Sequence, residues 1–136
     1  MIVADSTLVA SAVIRGASTA AALHCRTRDR EWISPRLLRS ELLNVLVKYV
    51  SVARSLDRDE GLKAFRRGSS LVIWSDAESD PVDVLNLCDH YGITAYDAEF
   101  VALAMKRNFR LVTLDNGLLK AFPGIAISPA DFAAGK

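Results

Sequence analysis

Short apolar runs alternate along the chain with longer segments in which apolar residues recur at helical spacing. The runs are rich in β-branched and aromatic residues, which is typical of strands. They predict strands at residues 2–4, 32–34, 71–74, 110–114 and 125–127. At least one helical segment follows each of the first four strands. The alternation therefore predicts an α/β fold.

Polar residues mark where the predicted helices begin. A capping residue precedes a proline at residues 34–35 and 80–81, and capping-box patterns occupy residues 57–60 and 94–97. Ser6 or Thr7 is predicted to cap the first helix, and the second begins near residue 18. The seven predicted helices end near residues 14, 25, 53, 67, 91, 107 and 121.

Strands joined through helices favour a mostly parallel central sheet covered on both faces, in a three-layer α/β/α arrangement. The 136 residues predict one domain, residues 1–136, because domains usually contain roughly 100–200 residues. Ligands of such sheets bind beyond the carboxyl ends of the strands, where the strand order reverses. Asp5 and Asp115 each follow a predicted strand, so both are expected near that edge.

Composition excludes several other classes of protein. Apolar residues make up 51% of the chain and charged residues 24%, which excludes intrinsic disorder. The net charge of +1 excludes a broadly basic nucleic-acid-binding protein but allows local basic patches. Neither an uninterrupted apolar stretch of 18 residues nor a signal peptide is recognisable, so no membrane association is expected. Cys25 and Cys88 form no C-x-x-C motif and are expected to be free thiols in the cytoplasm.

Four carboxylates occupy positions where a solvated charge is not expected. Asp5 and Asp115 each lie between a buried strand and a helix. Glu41 borders the apolar stripe of its helix, and Asp97 begins a helix with almost no polar face. Singly, the aspartates can be explained as helix caps or first-turn acids. Glu41 can be explained as the ion-pair partner of a nearby basic residue such as Arg36, Arg39 or Lys48.

Gathered at one sheet edge, four carboxylates would repel one another and shift each other's pKa. A divalent cation is the simplest stabiliser of such a cluster, and oxygen ligands favour Mg²⁺ or Mn²⁺. These ions promote the hydrolysis of phosphodiesters by generating hydroxide and neutralising the scissile phosphate. The four acids together therefore predict metal-dependent phosphodiester hydrolysis.

Four segments contain these acids in chain order: residues 2–7 (IVADST), 34–46 (SPRLLRSELLNVL), 94–104 (TAYDAEFVALA) and 111–115 (LVTLD). They extend over almost the whole chain, and the last carries a Thr-x-Asp motif after the last long strand. With these segments the sequence resembles the PIN-domain ribonucleases and, among them, the VapC-type toxins of prokaryotic toxin–antitoxin pairs. The resemblance implies a three-layer PIN-like domain with metal-dependent endoribonuclease activity.

In the pattern of that family, Asp5, Glu41, Asp97 and Asp115 hold one or two Mg²⁺ or Mn²⁺ ions. Water activated at the metal then attacks an RNA phosphate in line, which leaves a 5′-phosphate and a 3′-hydroxyl.

Neighbouring residues are expected to support the four acids. The resemblance implies hydrogen bonds from Thr113 and from the hydroxyl just after Asp5, that of Ser6 or Thr7. Asn116 stands where some relatives carry an acid or a basic residue, and its amide can bond a metal-bound water. Glu99 is expected at the rim of the site or behind its ligands, because it points nearly opposite to Asp97 on a helix.

RNA, an antitoxin protein and a second copy of the chain are the expected partners. Eight of the 17 Lys and Arg residues lie between positions 36 and 67, which favours a local basic surface. Arg36 and Arg39 are the best candidates for RNA contacts, because they flank the predicted helix of Glu41. The resemblance also implies a cognate antitoxin that covers a groove near the acids, and a homodimer.

Other functions remain open at this point. A PIN-like domain could bind RNA or protein without cleavage, and the acids alone do not distinguish RNA from DNA. A phospho-acceptor signalling domain is disfavoured, because Ser6 rather than a second acid follows Asp5 and no lysine ends the last strand.

Overall fold

Five strands form one sheet in the computed structural model, which describes residues 1–136. The strands are β1 (Ile2–Ala4), β2 (Trp32–Ser34), β3 (Val72–Trp74), β4 (Leu111–Val112) and β5 (Ala126–Ile127). All four strand pairs are parallel, and the order across the sheet is β3-β2-β1-β4-β5. The predicted mostly parallel sheet is confirmed, and it is parallel throughout.

Eight α-helices cover the sheet in a three-layer α/β/α arrangement. They are α1 (Ser6–Val13), α2 (Thr19–Arg28), α3 (Leu38–Val47), α4 (Arg58–Leu71), α5 (Pro81–Tyr91), α6 (Ala95–Arg107), α7 (Asn116–Ala121) and α8 (Pro129–Ala134). Helix α1 packs against α2, α3 and α4, whereas α5 packs against α6, which contacts β1 and β4. None of these helices has the length and apolar character needed to cross a membrane.

The strand order reverses between β1 and β4. From β1 the chain adds β2 and then β3 on one side, and β4 and then β5 on the other. In the register of this pair Ala4 lies beside Val112, so the next residues, Asp5 and Thr113, leave the sheet side by side. The topology therefore brings two sequence-distant residues to the edge where α/β sheets bind ligands.

The predicted caps of α1 and α3 are wrong. Asp5 caps α1, because its extended backbone directly after β1 lets its carboxylate accept from the Leu8 amide at 2.9 Å. Ser34 does not cap α3, because its buried hydroxyl donates to the carbonyl of Ala4 in the neighbouring strand. A turn with i to i+3 hydrogen bonds follows instead, and α3 begins only at Leu38.

Three predicted helix ends also differ from the structure. Helix α3 stops at Val47, and a π-helical turn, Lys48–Val52, occupies most of the remainder of its predicted length. Helix α2 continues three residues beyond its predicted end, where the Arg26 guanidinium lies 5.3 Å from the ring centroid of Trp32. Helix α4 continues to Leu71, so β3 begins one residue later than predicted.

The sequence patterns did not indicate two features at the margins of the sheet. The apolar composition of residues 71–74 indicates a buried strand, but Ile73 is 47% exposed because β3 is an edge strand. Helix α8 was not predicted, although Ser128 and Pro129 repeat the capping residue and proline that begin α5. The Ser128 hydroxyl accepts from the Asp131 amide at 3.1 Å and donates to its carboxylate at 2.8 Å.

A glycine allows α4 to pack closely against α1 and α3, the helices that begin beside the predicted acids. A Cβ at Gly68 would lie 2.8 Å from Leu42 Cδ2 and 3.1 Å from Val9 Cγ1. Both neighbours are fully buried, so neither side chain can move aside freely.

Replacing Gly68 by alanine is therefore expected to destabilise the protein. Alanine favours a helix interior by about 1 kcal/mol, but overpacking a core costs about 1–3 kcal/mol. We expect G68A to lower the thermal midpoint by several degrees in calorimetry. Gly16→Ala is the control, because no atom lies within 4 Å of a Cβ there. Equal thermal midpoints for G68A and Gly16→Ala would contradict the close packing of α4 against α1 and α3.

Candidate functional site

Asp5 is a buried carboxylate with both oxygens hydrogen-bonded. Its side chain and backbone are only 4% exposed. Oδ1 accepts from Thr7 Oγ1 at 2.7 Å and from the Leu8 amide, and Oδ2 accepts from Thr113 Oγ1. Burial raises the pKa of Asp5, and these hydrogen bonds oppose the increase by stabilising the charged form. The carboxylate is therefore held in one orientation at the junction of β1 and β4.

Thr113 links the two halves of this junction. Its fully buried hydroxyl donates to Asp5 and accepts from the Asp115 amide at 2.9 Å. Thr7 makes a parallel connection, because its hydroxyl donates to Asp5 and accepts from the Leu114 amide at 2.9 Å. Thr7, rather than Ser6, is thus the neighbouring hydroxyl that contacts Asp5.

Glu41 lies in the first turn of α3, where it is half-buried. Burial is the largest cause of its raised pKa. The negative charges of Asp5, Asp97 and Glu99 raise the pKa further, while the Ser6 hydroxyl lowers it by hydrogen bonding to the carboxylate. Four carboxylates from the starts of α1, α3 and α6 therefore share one electrostatic environment, and we call them the carboxylate cluster.

The start of α6 contributes two acids, Asp97 and Glu99, to this cluster. Thr94 caps the helix by accepting from the Asp97 amide at 3.1 Å, and its hydroxyl donates to Asp97 Oδ2 at 3.0 Å. Both acids are half-buried, and both raise the pKa of Glu41. Their opposite directions on the helix do not separate them electrostatically, because charge repulsion acts over distances greater than contact.

Asp115 lies at the same sheet edge but in a different environment. It is exposed and caps α7, with Oδ1 accepting from the Leu118 amide at 2.9 Å. Its link to Asp5 runs through Thr113, and it is not among the charges that raise the pKa of Glu41. Asn116 is the exposed first residue of α7. Oδ2 of Asp115 has no hydrogen-bond partner and remains available to a ligand.

None of these five acids forms an ion pair with a Lys or Arg side chain. The only salt bridges join the amino terminus to Asp29, Arg36 to Asp76 and Lys136 to Asp131. The alternative explanation of Glu41 as an ion-pair partner of Arg36, Arg39 or Lys48 is therefore wrong. Arg36 is held 2.9 Å from Asp76, and the Arg39 guanidinium lies 5.7 Å from the ring centroid of Phe65 on α4.

The carboxylate cluster suits a hard divalent cation in charge and in donor type. Its ligand atoms are carboxylate oxygens, and no basic side chain neutralises them. The side chains do not converge fully, because no three Asp, Glu, His or Cys residues lie close enough together to hold a metal ion. Side-chain movements of Glu41, Asp97 and Asp115 would be needed, whereas Asp5 is already fixed by its hydrogen bonds.

Burial of Asp5 and Glu41, with the added repulsion on Glu41, predicts a distinctive pH dependence for the metal-free protein. Folding raises the pKa of Asp5 and Glu41, so above about pH 4 the folded state binds more protons than the unfolded state. Stability should therefore fall as pH rises through the raised pKa values. We expect Glu41→Gln to raise the thermal midpoint at pH 7 and to reduce this decline, as measured by calorimetry in EDTA.

The matched control for Glu41→Gln is Glu31→Gln, an exposed residue that precedes β2 at the opposite edge of the sheet. It should change neither the midpoint nor its pH dependence. A midpoint for Glu41→Gln equal to or below that of the wild type at pH 7 would show that repulsion on Glu41 is negligible.

Thr113 allows a second prediction. Thr113→Val keeps the side-chain shape but leaves Asp5 Oδ2 without its donor, and an unsatisfied buried group costs about 1–3 kcal/mol. Thr113→Ser keeps the hydroxyl and should be clearly more stable at pH 7 in urea unfolding. The hydrogen bond would be assigned no role in stability if the valine variant were the more stable of the two.

The whole fold has relatives among solved structures. PAE2754 from Pyrobaculum aerophilum is 19% identical, with a TM-score of 0.77 over 98% of this chain and 92% of that one. A toxin–antitoxin complex from Klebsiella pneumoniae is 17% identical, with a TM-score of 0.62 over 95% and 98%. FitAB bound to the IR36 DNA fragment is 14% identical, with a TM-score of 0.65 over 96% of each chain.

Curated protein sequences include no match to this chain. The family model described as "PIN domain", however, matches residues 2–123 and thus contains every acid of the candidate site. The structural relatives share the fold over almost the full length of the chain. On the strength of the family match, the protein belongs to the PIN domain family.

Proposed function

We propose that this protein is a metal-dependent endoribonuclease and the toxin of a toxin–antitoxin pair. PIN domains are generally nucleases. The observation that carries the proposal is the carboxylate cluster, whose members lack basic partners and include Asp5 at the reversal of strand order. Uncompensated charge of this kind destabilises a fold and is retained at sites that use it.

Asp5, Glu41, Asp97 and Asp115 are the residues that would hold Mg²⁺ or Mn²⁺. When bound, the ion supplies an activated water and neutralises charge on the phosphate. Thr7 and Thr113 hold the Asp5 oxygens in a fixed direction, which reduces the reorganisation needed for catalysis. Glu99 adds negative charge beside Glu41, and Asn116 lies next to Asp115 as a donor for a bound water.

The substrate and partners belong to the same proposal. Arg36 and Arg39 are exposed on the turn into α3 and on its first turn, close along the chain to Glu41, which supports contacts with RNA phosphates. Because one structural relative is a toxin–antitoxin complex, we propose an antitoxin protein as the physiological inhibitor. We further propose a homodimer that acts in the cytoplasm.

Cleavage of total cellular RNA tests the nuclease proposal. Purified protein with Mg²⁺ or Mn²⁺ should generate discrete new 5′-phosphate ends, which sequencing of the ends would map. EDTA should abolish them, because the carboxylates alone supply no nucleophile. Asp97→Asn should lower cleavage at least a hundredfold, because it removes a ligand charge while keeping the side-chain shape.

The control for Asp97→Asn is Asp83→Asn. Asp83 occupies the third position of α5, as Asp97 does in α6, but it lies outside the carboxylate cluster. It should retain full cleavage. Folded wild-type protein that generates no metal-dependent ends would instead favour a PIN domain that binds RNA or protein without cleaving it.

A further inference from the structure

A cleft of about 280 Å³ opens at the carboxyl edge of β2 and β3, beside the carboxylate cluster. Three parts of the chain form its walls: residues 35–37 before α3, residues 75–79 between β3 and α5, and Glu99 of α6. Glu99 also raises the pKa of Glu41, so the cleft and the cluster share a wall.

The cleft is formed before any ligand arrives, because hydrogen bonds fix its floor. The Ser75 amide donates to the Ser34 carbonyl at 2.9 Å and continues the pairing of β2 with β3. The Ser75 hydroxyl, which is almost fully buried, donates to the Ala77 carbonyl at 3.3 Å. Arg36 and Asp76 form an ion pair between the two loops. Contacts between the walls reduce the conformational entropy that the loops lose when a ligand binds.

Hydrogen-bond acceptors dominate the lining. Asp76, Glu78 and Glu99 contribute three carboxylates, and the only cationic side chain, Arg36, is paired with Asp76. The net negative charge of this lining disfavours a phosphate inside the cleft. It favours an uncharged group whose edge carries N–H donors, and Glu78 forms no ion pair that would compete.

The distance between the cleft and the carboxyl end of β1 is comparable with the spacing of nucleotides along a nucleic acid strand. Strands of a sheet are about 4.8 Å apart, so the space beyond β2 and β3 lies roughly 7 Å from the carboxyl end of β1. That distance is comparable with the length of one nucleotide. A phosphate held at the carboxylate cluster would therefore place an adjacent base at the mouth of the cleft.

We propose that this cleft receives a nucleobase adjacent to the scissile phosphate and that Glu78 selects guanine. The Watson–Crick edge of guanine presents two neighbouring N–H donors that match the two oxygens of a carboxylate, whereas uracil presents one donor between two acceptors. Single-stranded RNA is read through such splayed bases. The inference rests on RNA being the substrate, as argued under the proposed function.

Binding tests the inference independently of cleavage. Fluorescence anisotropy would compare a labelled uridine hexanucleotide with one that carries guanosines at alternate positions, using full-length Asp97→Asn protein to prevent cleavage. The guanosine-containing RNA should bind about tenfold tighter, as expected for a paired carboxylate contact. Introducing Glu78→Gln should remove most of this difference, because the amide replaces one acceptor with a donor. Glu31→Gln, at the opposite sheet edge, should preserve it.

Equal affinities for the two RNAs, or a preference that survives Glu78→Gln, would overturn the inference. Absence of binding to either RNA would overturn it as well and would favour a protein ligand for the cleft.

A second readout uses active protein on a randomised RNA pool. Guanine should be enriched at one fixed position beside the cut, and Glu78→Gln should erase that enrichment. Cleavage in which Glu78→Gln leaves the guanine enrichment unchanged would contradict the base pocket but not the nuclease proposal. Absence of metal-dependent cleavage, with guanine-selective binding intact, contradicts the nuclease proposal alone.

Discussion

The hydrogen bond from Thr113 to Asp5 joins two parts of the chain that sequence separates by more than a hundred residues. It crosses the reversal of strand order, where β1 and β4 end side by side. A carboxylate this deeply buried would be costly without donors, and the donors come from α1 and from Thr113, the residue after β4. The carboxylate cluster depends on this contact, because Asp5 is the only member that is fixed on both oxygens.

The other acids around this fixed residue lie at the starts of helices. Glu41, Asp97 and Asp115 each lie in the first turn of a helix or cap it, so the partial positive charge of a helix start moderates their repulsion. The same positions leave their side chains half-buried or exposed. One fixed carboxylate and several adjustable ones suit the proposed binding of an ion and a phosphate, for which the geometry would tighten on binding.

Much of the architecture could be predicted from local sequence signals. The apolar runs and the capping residues of α4, α5 and α6 are short-range patterns, and the structure confirms the elements they predict. Two errors arose where side chains have distant partners. Ser34 resembles a cap but donates across the sheet to Ala4. Arg36 and Arg39, which could have paired with Glu41, instead contact Asp76 and Phe65. The proximity of Glu99 to Glu41 likewise depends on how α6 packs beside α3, which helical spacing alone does not reveal.

Asp5 serves the fold and the candidate site with the same two oxygens. It caps α1 and anchors β4 while forming part of the carboxylate cluster. Replacing Asp5 would therefore weaken the fold as well as the candidate site, whereas replacing Glu41 would relieve charge repulsion within the carboxylate cluster. If the proposed catalysis were lost while the protein was kept as a binding module, Glu41 would be discarded first and Asp5 would be retained longest. The aspartate alone is thus a poor marker of an active enzyme.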